Sequence, residues 1–326
     1  MMCDAASVGQ STGLQQVKRR RVPAARDFGI LVFLVGIFAA LAISSPPFRS
    51  GANLSNIVNQ MSMQGIAACG ATLTIVSGGF DLSQGSVYVF CAILAVMTTH
   101  TFGVLGAFVI AVLAGLALGA INGAIIALGR VNSFIATLAT SYVFLGFATV
   151  ITGGNVATTS NPNFMVMNNT YGLTVASWVF IVIAVLLGLL LAYTRFGRGL
   201  YAIGGNPEAA RLSGINISLY RIVVFSLSGA CAGAAGVIAA SQAGSADSSI
   251  GSTLALLAIA SSVVGGVSIL GGQGAVWRAV VGALILELIN NGFVLLNLNP
   301  VYEDVVFGLL VLLAVAVDQL LRRRRA

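Results

Sequence analysis

Ten apolar runs recur along the chain, at 28–45, 54–77, 82–99, 102–128, 133–152, 173–194, 219–241, 254–270, 275–296 and 302–321, each parted from the next by polar, glycine-rich or proline-bearing breaks. Most approach the roughly 20 residues that a helix needs to cross about 30 Å of hydrocarbon. Only helices and closed barrels satisfy every backbone polar group in lipid, so the pattern predicts an all-α, polytopic transmembrane bundle of about ten spans. Two runs are weaker. The stretch 54–77 opens on NLSNIVNQMSMQ and can begin as a short broken helix, and 254–270 is short and rich in serine.

Composition agrees with that reading and removes the alternative. The chain is 58% hydrophobic and 8% charged, against about 25% charged in an ordinary soluble domain. A soluble fold is excluded. Thirty-nine glycines supply the small surfaces that let helices approach closely where lipid gives them no separate hydrophobic drive to associate.

The net charge of +7 would suit a nucleic-acid partner if the basic residues lay on one face interleaved with aromatics. They do not. Lys18 to Arg21, Arg26, Arg130, Arg195, Arg198, Arg211 and Arg322 to Arg325 each flank an apolar run. With a cytoplasmic amino terminus, ten spans return the carboxyl terminus to the cytoplasm and leave only Arg49, of sixteen Lys and Arg residues, outside. That asymmetry is the positive-inside pattern, so both termini are expected in the cytoplasm. The expected divisions are a cytoplasmic tail at 1–27, a transmembrane domain at 28–321 with a cytoplasmic loop at 195–218, and a basic tail at 322–326. The run 28–45 leads into further spans and reads as an uncleaved first helix rather than a signal peptide.

Several chemistries lack their raw material. Cys3, Cys69, Cys91 and Cys231 have no short spacing, and His100 is the single histidine, so neither a disulfide framework nor a metal site is indicated. A phosphate-binding P-loop needs a lysine after its glycines, and the only lysine is Lys18 in the tail. Any ATP-driven role would place ATP and magnesium on a different polypeptide, with no cofactor in this chain and no catalytic residue.

The one long charged interruption between apolar runs is RFGRGLYAIGGNPEAARLSGINISLY, from Arg195 to Tyr220. A segment of that kind faces a partner. Elsewhere, two glycine-rich turns echo one another, GGFDLSQGS at 78–86 with Gly78, Gly79 and Asp81, and GGVSILGGQGA at 265–275 with Gly265, Gly266, Gly271 and Gly272. An Asn-Gly pair follows each, at 122–123 and 291–292, a hint of repeated halves. Asp81 either caps the span beginning at Leu82 or has a functional part. Glu287, midway along 275–296, is either a carboxyl protonated or paired within the bundle or a ligand for substrate or ion. Asn59, Gln60, Gln64, Asn122, Asn132, Asn290 and Asn291 can line a path for a hydroxyl-rich solute, since amides both donate and accept, or can hydrogen-bond between helices.

Five blocks stand in order: TLTIVSGGFDLSQGSV, NGAIIALGRVNSFIATLAT, TRFGRGLYAIGGNPEAARLSGI, VVGGVSILGGQGAVW and NNGFVLL. Over about residues 50–320 they resemble the ribose, xylose and galactose permease family of bacterial ABC importers. The resemblance implies an inner-membrane, multi-pass sugar permease, a homodimeric or pseudo-dimeric pore, an ATP-binding subunit beneath and a periplasmic sugar-binding protein above. It also implies a coupling element in which Arg195, Arg198, Asn206, Pro207, Glu208, Ala209, Ala210, Arg211 and Gly214 meet the ATPase, with Gln64, Asn122, Glu287, Asn290 and Asn291 as substrate-path candidates. The sequence departs from the family where Ala255 and Leu257 replace an acidic pair, where Glu287 replaces a small residue, and at Gln84 after the DLS triplet.

Other functions fit parts of the pattern. A permease for nucleosides or amino acids would share the coupling loop, and a proton-coupled carrier would use Glu287. A membrane scaffold without transport would need neither.

Overall fold

The computed structural model describes residues 24–165 and 173–323. Residues 1–23 of the expected amino-terminal tail, 166–172 of an outer loop and 324–326 of the basic tail lie outside the described residues.

The described chain is built almost wholly from helices: α1 Ala24–Ser44, α2 Gly51–Val76, α3 Gln84–Leu128, α4 Ser133–Thr152, α5 Val175–Tyr193, α6 Arg195–Gly205, α7 Pro207–Leu212, α8 Ile217–Ala243, α9 Leu254–Val264, α10 Val276–Leu295 and α11 Val301–Arg323. A 3-10 turn, Pro46–Arg49, joins α1 to α2. Among the described residues five helices (α3, α4, α5, α8 and α10) are long and apolar enough to cross a membrane.

Two sequence expectations are corrected, at 54–77 and 254–270. The run 54–77 does not begin as a broken helix. It is part of one unbroken α2, because Ser50 accepts the Asn53 amide N–H at 3.2 Å and the polar early positions find partners on neighbouring elements. The runs 82–99 and 102–128 are both present, as two helical arms carried under the one label α3 and parted at Gly103, whose φ of 69° and ψ of 179° lie outside helical geometry where a side chain would be strained. The run 254–270 yields only Leu254–Val264, eleven residues and about 16 Å of helix, too short to span; the remainder is turn. Asp81 accepts the Ser83 N–H at 3.0 Å, the bond expected of a cap ahead of Leu82, although the regular part of α3 is bounded at Gln84.

The centre of the bundle is the seam between α3 and α8. Cβ atoms added at Gly115, Gly119 and Gly123 would strike the backbone of α8 at Gly229, Phe225 and Ile222, and one at Gly229 would strike the Gly115 carbonyl oxygen. Spacing of four residues puts these glycines on one helix face. Around the seam Cys91, Ile93, Ala111, Phe225, Ala232 and Ile238 are buried.

Hydrogen bonds define the two ends of the bundle. At one end Gly272 N–H donates to the Val76 carbonyl (2.9 Å), Phe80 N–H to Ser133 Oγ (3.1 Å) and Tyr201 Oη to the Gly274 carbonyl (2.7 Å). At the other, β1 (Ala157–Thr158) pairs antiparallel with β2 (Ser245–Ala246), and Asn161 Nδ2 donates to the Thr99 carbonyl at 3.2 Å.

Candidate functional site

The charged segment expected as a loop is a helical hairpin. Thr194 caps α6 by accepting the Gly197 N–H (3.1 Å), and Asn206 caps α7 by accepting the Ala209 N–H (3.0 Å), with Pro207 in the first helical turn, where a missing N–H costs nothing. Gly214, at φ 81°, ends the unit: Gly214 N–H reaches the Arg211 carbonyl (3.0 Å) and Ile215 N–H the Ala210 carbonyl (3.1 Å). Ala210 is buried, while Asn206, Pro207, Glu208, Ala209 and Arg211 are exposed. Glu208 and Arg211 form an ion pair in which Arg211 Nε donates to Glu208 Oε2 at 3.1 Å. That hydrogen bond, and then the guanidinium charge, hold the Glu208 carboxyl below its ordinary range. Arg195 and Arg198 are exposed along α6, and Arg198 donates to the Tyr193 carbonyl at 3.3 Å.

The hairpin rests on both glycine-rich turns. The end of α2 closes with Gly78 N–H on Ile75 and Gly79 N–H on Thr74, both at 2.9 Å. The end of α9 repeats this with Gly266 N–H on Val263 and Val267 N–H on Ser262, both at 2.8 Å. Gly78 and Gly266 carry φ values of 83° and 89°. The echo in the sequence is therefore one turn built twice. Between the two turns sits Gly204 of α6, where a Cβ would run into the Val76 carbonyl and the Gly272 N–H. A Cβ on Gly271 would meet Gly78 and Gly204, and one on Gly272 would meet Gly205. Tyr201 adds its bond to Gly274, so α6 is fastened to the second turn as well as wedged against the first.

Beneath the first turn lies a buried polar cluster. Asp81, 2% exposed, accepts from the Ser83 N–H (3.0 Å), from Ser83 Oγ (2.5 Å) and from Ser228 Oγ of α8 (2.7 Å). Ser228 accepts from Gln84 Nε2 and Ser83 from Asn122 Nδ2, each at 2.7 Å. One carboxyl thus organises both arms of α3 against α8. Asn122 belongs to this cluster.

Toward the opposite end a cavity of about 290 Å³ opens between α2, α3, α9 and α10, lined by Gln60, Gln64, Tyr88, Thr253, Glu287 and Asn290 among others. Gln64 donates to Ser261 Oγ (2.8 Å) and Asn290 to Glu303 Oε1 (2.6 Å). Glu287 is 8% exposed. Asn291, one residue on, turns away to Asn53. Asn59 accepts from Thr174 Oγ1 (2.7 Å), and Asn132 caps α4 through the Phe134 N–H (2.9 Å).

The structure therefore gathers Gln60, Gln64, Glu287 and Asn290 in one place and separates Asn122, Asn291, Asn59 and Asn132 from them. Sequence reasoning missed Tyr201, Gly204 and Gly205, although the Gly204-Gly205 pair is a further glycine doublet, inside the charged segment. It also missed Ser83 and Ser228, which in sequence are two ordinary serines near glycines.

The pattern of the family described as "Branched-chain amino acid transport system / permease component" matches residues 53–315. The ribose import permease protein of Escherichia coli (strain K12) is 38% identical over 295 residues, covering 88% of this chain and 92% of the relative. The L-arabinose transport system permease protein of the same strain is 37% identical over 299 residues, 90% of each chain. Its D-allose transport system permease protein is 35% identical over 300 residues, 91% of each. No solved structure matches the chain at comparable stringency.

Proposed function

The chain belongs to the branched-chain amino acid transport system / permease component family, and from that premise we propose that it is the membrane-spanning subunit of an ABC importer carrying a monosaccharide across the bacterial inner membrane. Relatives aligned over about nine-tenths of the chain are named for ribose, L-arabinose and D-allose, which favours a sugar over the amino acids in the family's description.

In this reading ten membrane segments are α1, α2, the two arms of α3, α4, α5, α8, the partial α9, α10 and α11, within a membrane domain at 28–321. Arg130, Arg195, Arg198 and Arg211 then mark the cytoplasmic face and both termini lie there. The hairpin α6–α7, at 195–218, docks on a separate ATP-binding subunit that holds ATP and magnesium. A periplasmic sugar-binding protein delivers substrate at the β1–β2 end, and two copies of the chain form the pore. Asn206, Pro207, Glu208, Ala209, Arg211 and Gly214 shape and present the docking surface; Gly78, Gly79, Gly265, Gly266, Gly271 and Gly272 receive its movement. Gln64, Glu287 and Asn290 line the sugar's route, with Asn122 and Asn291 holding the helices beside it.

The observation that carries this reading is the seating of Gly204 between the end of α2 and the second glycine-rich turn at Gly272. A push on α7 reaches α2 and the second glycine-rich turn through backbone contact, without flexible side chains to absorb it. The test is co-purification of an ATPase subunit with the tagged chain, followed by ATP hydrolysis stimulated by a sugar-loaded binding protein. Sugar uptake driven by a pH gradient without ATP would overturn the reading in favour of a carrier.

A further inference from the structure

We propose that the cavity around Glu287 is a sugar-binding site on the permease itself, in which Glu287 accepts hydrogen bonds from adjacent hydroxyls of one monosaccharide and anionic sugars are refused. The inference rests on the importer reading and specifies which groups of the substrate the membrane subunit recognises.

The first observation is a carboxyl without a partner. Glu287 is more than nine-tenths buried, lines the cavity, and makes no hydrogen bond or ion pair with any described residue. Every other buried carboxyl argued on above is satisfied: Asp81 has three donors. A carboxyl that lines an open cavity with no protein donor on it is set up for a donor that arrives.

The second observation is the polarity of the wall. Ser261 Oγ spends its proton on the Leu257 carbonyl (2.7 Å), so toward Gln64 it can only accept, and Gln64 must present its nitrogen there. Its carbonyl oxygen remains for the cavity side. Asn290 likewise gives its nitrogen to the Glu303 carboxylate, which fixes its amide the same way. The wall thus sets acceptors, the Glu287 carboxyl and two amide oxygens, beside the exposed Gln60 amide and the Tyr88 and Thr253 hydroxyls, which both donate and accept. A wall of that kind calls for a ligand whose groups both donate and accept. A polyhydroxyl ring offers several hydroxyl protons, and a carboxyl accepts two from neighbouring carbons.

The third observation is size and place. A cavity of about 290 Å³ lies at the small end of the ligand-pocket range of roughly 300–1,000 Å³ and suits one monosaccharide. Glu287 stands eleven residues from Val276, so about 16 Å of helix separates it from the glycine turns. With Glu303 behind Asn290 as a second carboxyl, an anionic group in the cavity would be repelled.

The test uses the full chain in lipid nanodiscs without its partners, with labelled D-ribose and L-arabinose in equilibrium dialysis. Wild type should bind at least one of them with a dissociation constant of about millimolar. Glu287→Gln should weaken that binding roughly tenfold or more, while its thermal unfolding and its capture of the ATPase subunit stay as in wild type. Unlabelled neutral pentose should compete and gluconate should not. Binding unchanged in Glu287→Gln, equal competition by gluconate, or no binding of either sugar to wild type each overturns the site. Sugar-stimulated ATP hydrolysis by the assembled complex is measured in parallel, so an importer that works without this site remains distinguishable from a chain that imports no sugar.

Discussion

Asn53 and Asn291 exchange two hydrogen bonds, Asn53 Nδ2 to Asn291 Oδ1 at 3.1 Å and Asn291 Nδ2 to Asn53 Oδ1 at 2.9 Å, tying the first turn of α2 to α10 across 238 residues of sequence. Both polar ends of each amide are matched by the other. Replacing one partner therefore strands the other in a half-buried site. Asn291→Leu alone should lower stability by about 1 kcal/mol. The double change Asn53→Leu with Asn291→Leu should cost less than the two single changes together, by about 0.5–1 kcal/mol of coupling. Thermal unfolding in detergent checks both; additive losses would mean the pair is not coupled.

Gly204 and Gly205 are neighbours with opposite tolerance. A Cβ at Gly204 meets the Val76 carbonyl, whereas nothing lies within 4 Å of one at Gly205. Gly204→Ala should abolish sugar-stimulated ATP hydrolysis or prevent assembly with the ATPase, and Gly205→Ala should leave both within twofold of wild type. Equal activity in the two variants would show that α6 does not bear on the end of α2 and the turn at Gly272.

Asp81 holds donors from two elements at once. Asp81→Ala should cost about 2–4 kcal/mol by stranding Ser83, Ser228 and the groups behind them, and Ser228→Ala about 1 kcal/mol, because Asp81 keeps its two bonds from Ser83. The order of Tm values, wild type above Ser228→Ala above Asp81→Ala, is the measurement. A reversed order would show that the carboxyl is dispensable to the seam.

The Glu208–Arg211 pair carries a pH signature. Arg211 lowers the Glu208 carboxyl, so the contribution of the pair is fully present above the unfolded value of about 4.3 and is lost as pH falls through the still lower folded one. Capture of the ATPase subunit should be flat in this group between about pH 5 and 8. Arg211→Ala should leave Tm unchanged, since both groups are exposed, while reducing capture at every pH in that range. A drop in Tm with capture intact would make the pair structural instead.

The sequence is legible where physics is local. Runs of apolar residues located the long helices to within a few positions, because desolvation of the backbone in lipid leaves a helix little freedom to be anything else. The echoed glycine turns and the charged hairpin were also visible, since positive φ and solvent exposure leave compositional marks. Interruption was harder to read. Gly103 parts the two arms of α3 just inside the second apolar run, and α9 stops at Val264 although Val267, Ile269 and Leu270 continue the apolar run, because Gly266 N–H and Val267 N–H close the turn on Val263 and Ser262. The cavity was half legible: Glu287 and the amides stood out by type, but which of them share a wall depends on helix rotation. Asn290 and Asn291 are adjacent in sequence, yet one faces the cavity and the other Asn53.

The glycine seam between α3 and α8 limits how the molecule can change shape. With backbone against backbone at Gly115, Gly119, Gly123 and Gly229, neither helix can roll about its axis without collision, nor slide by less than a full ridge spacing. The two helices form a keel. Rearrangement during a transport cycle is then confined to what is hung on that keel, namely α2, α9 and α10, whose contacts include hydroxyl pairs such as Thr72 with Ser262 at 3.1 Å that can exchange partners at little cost.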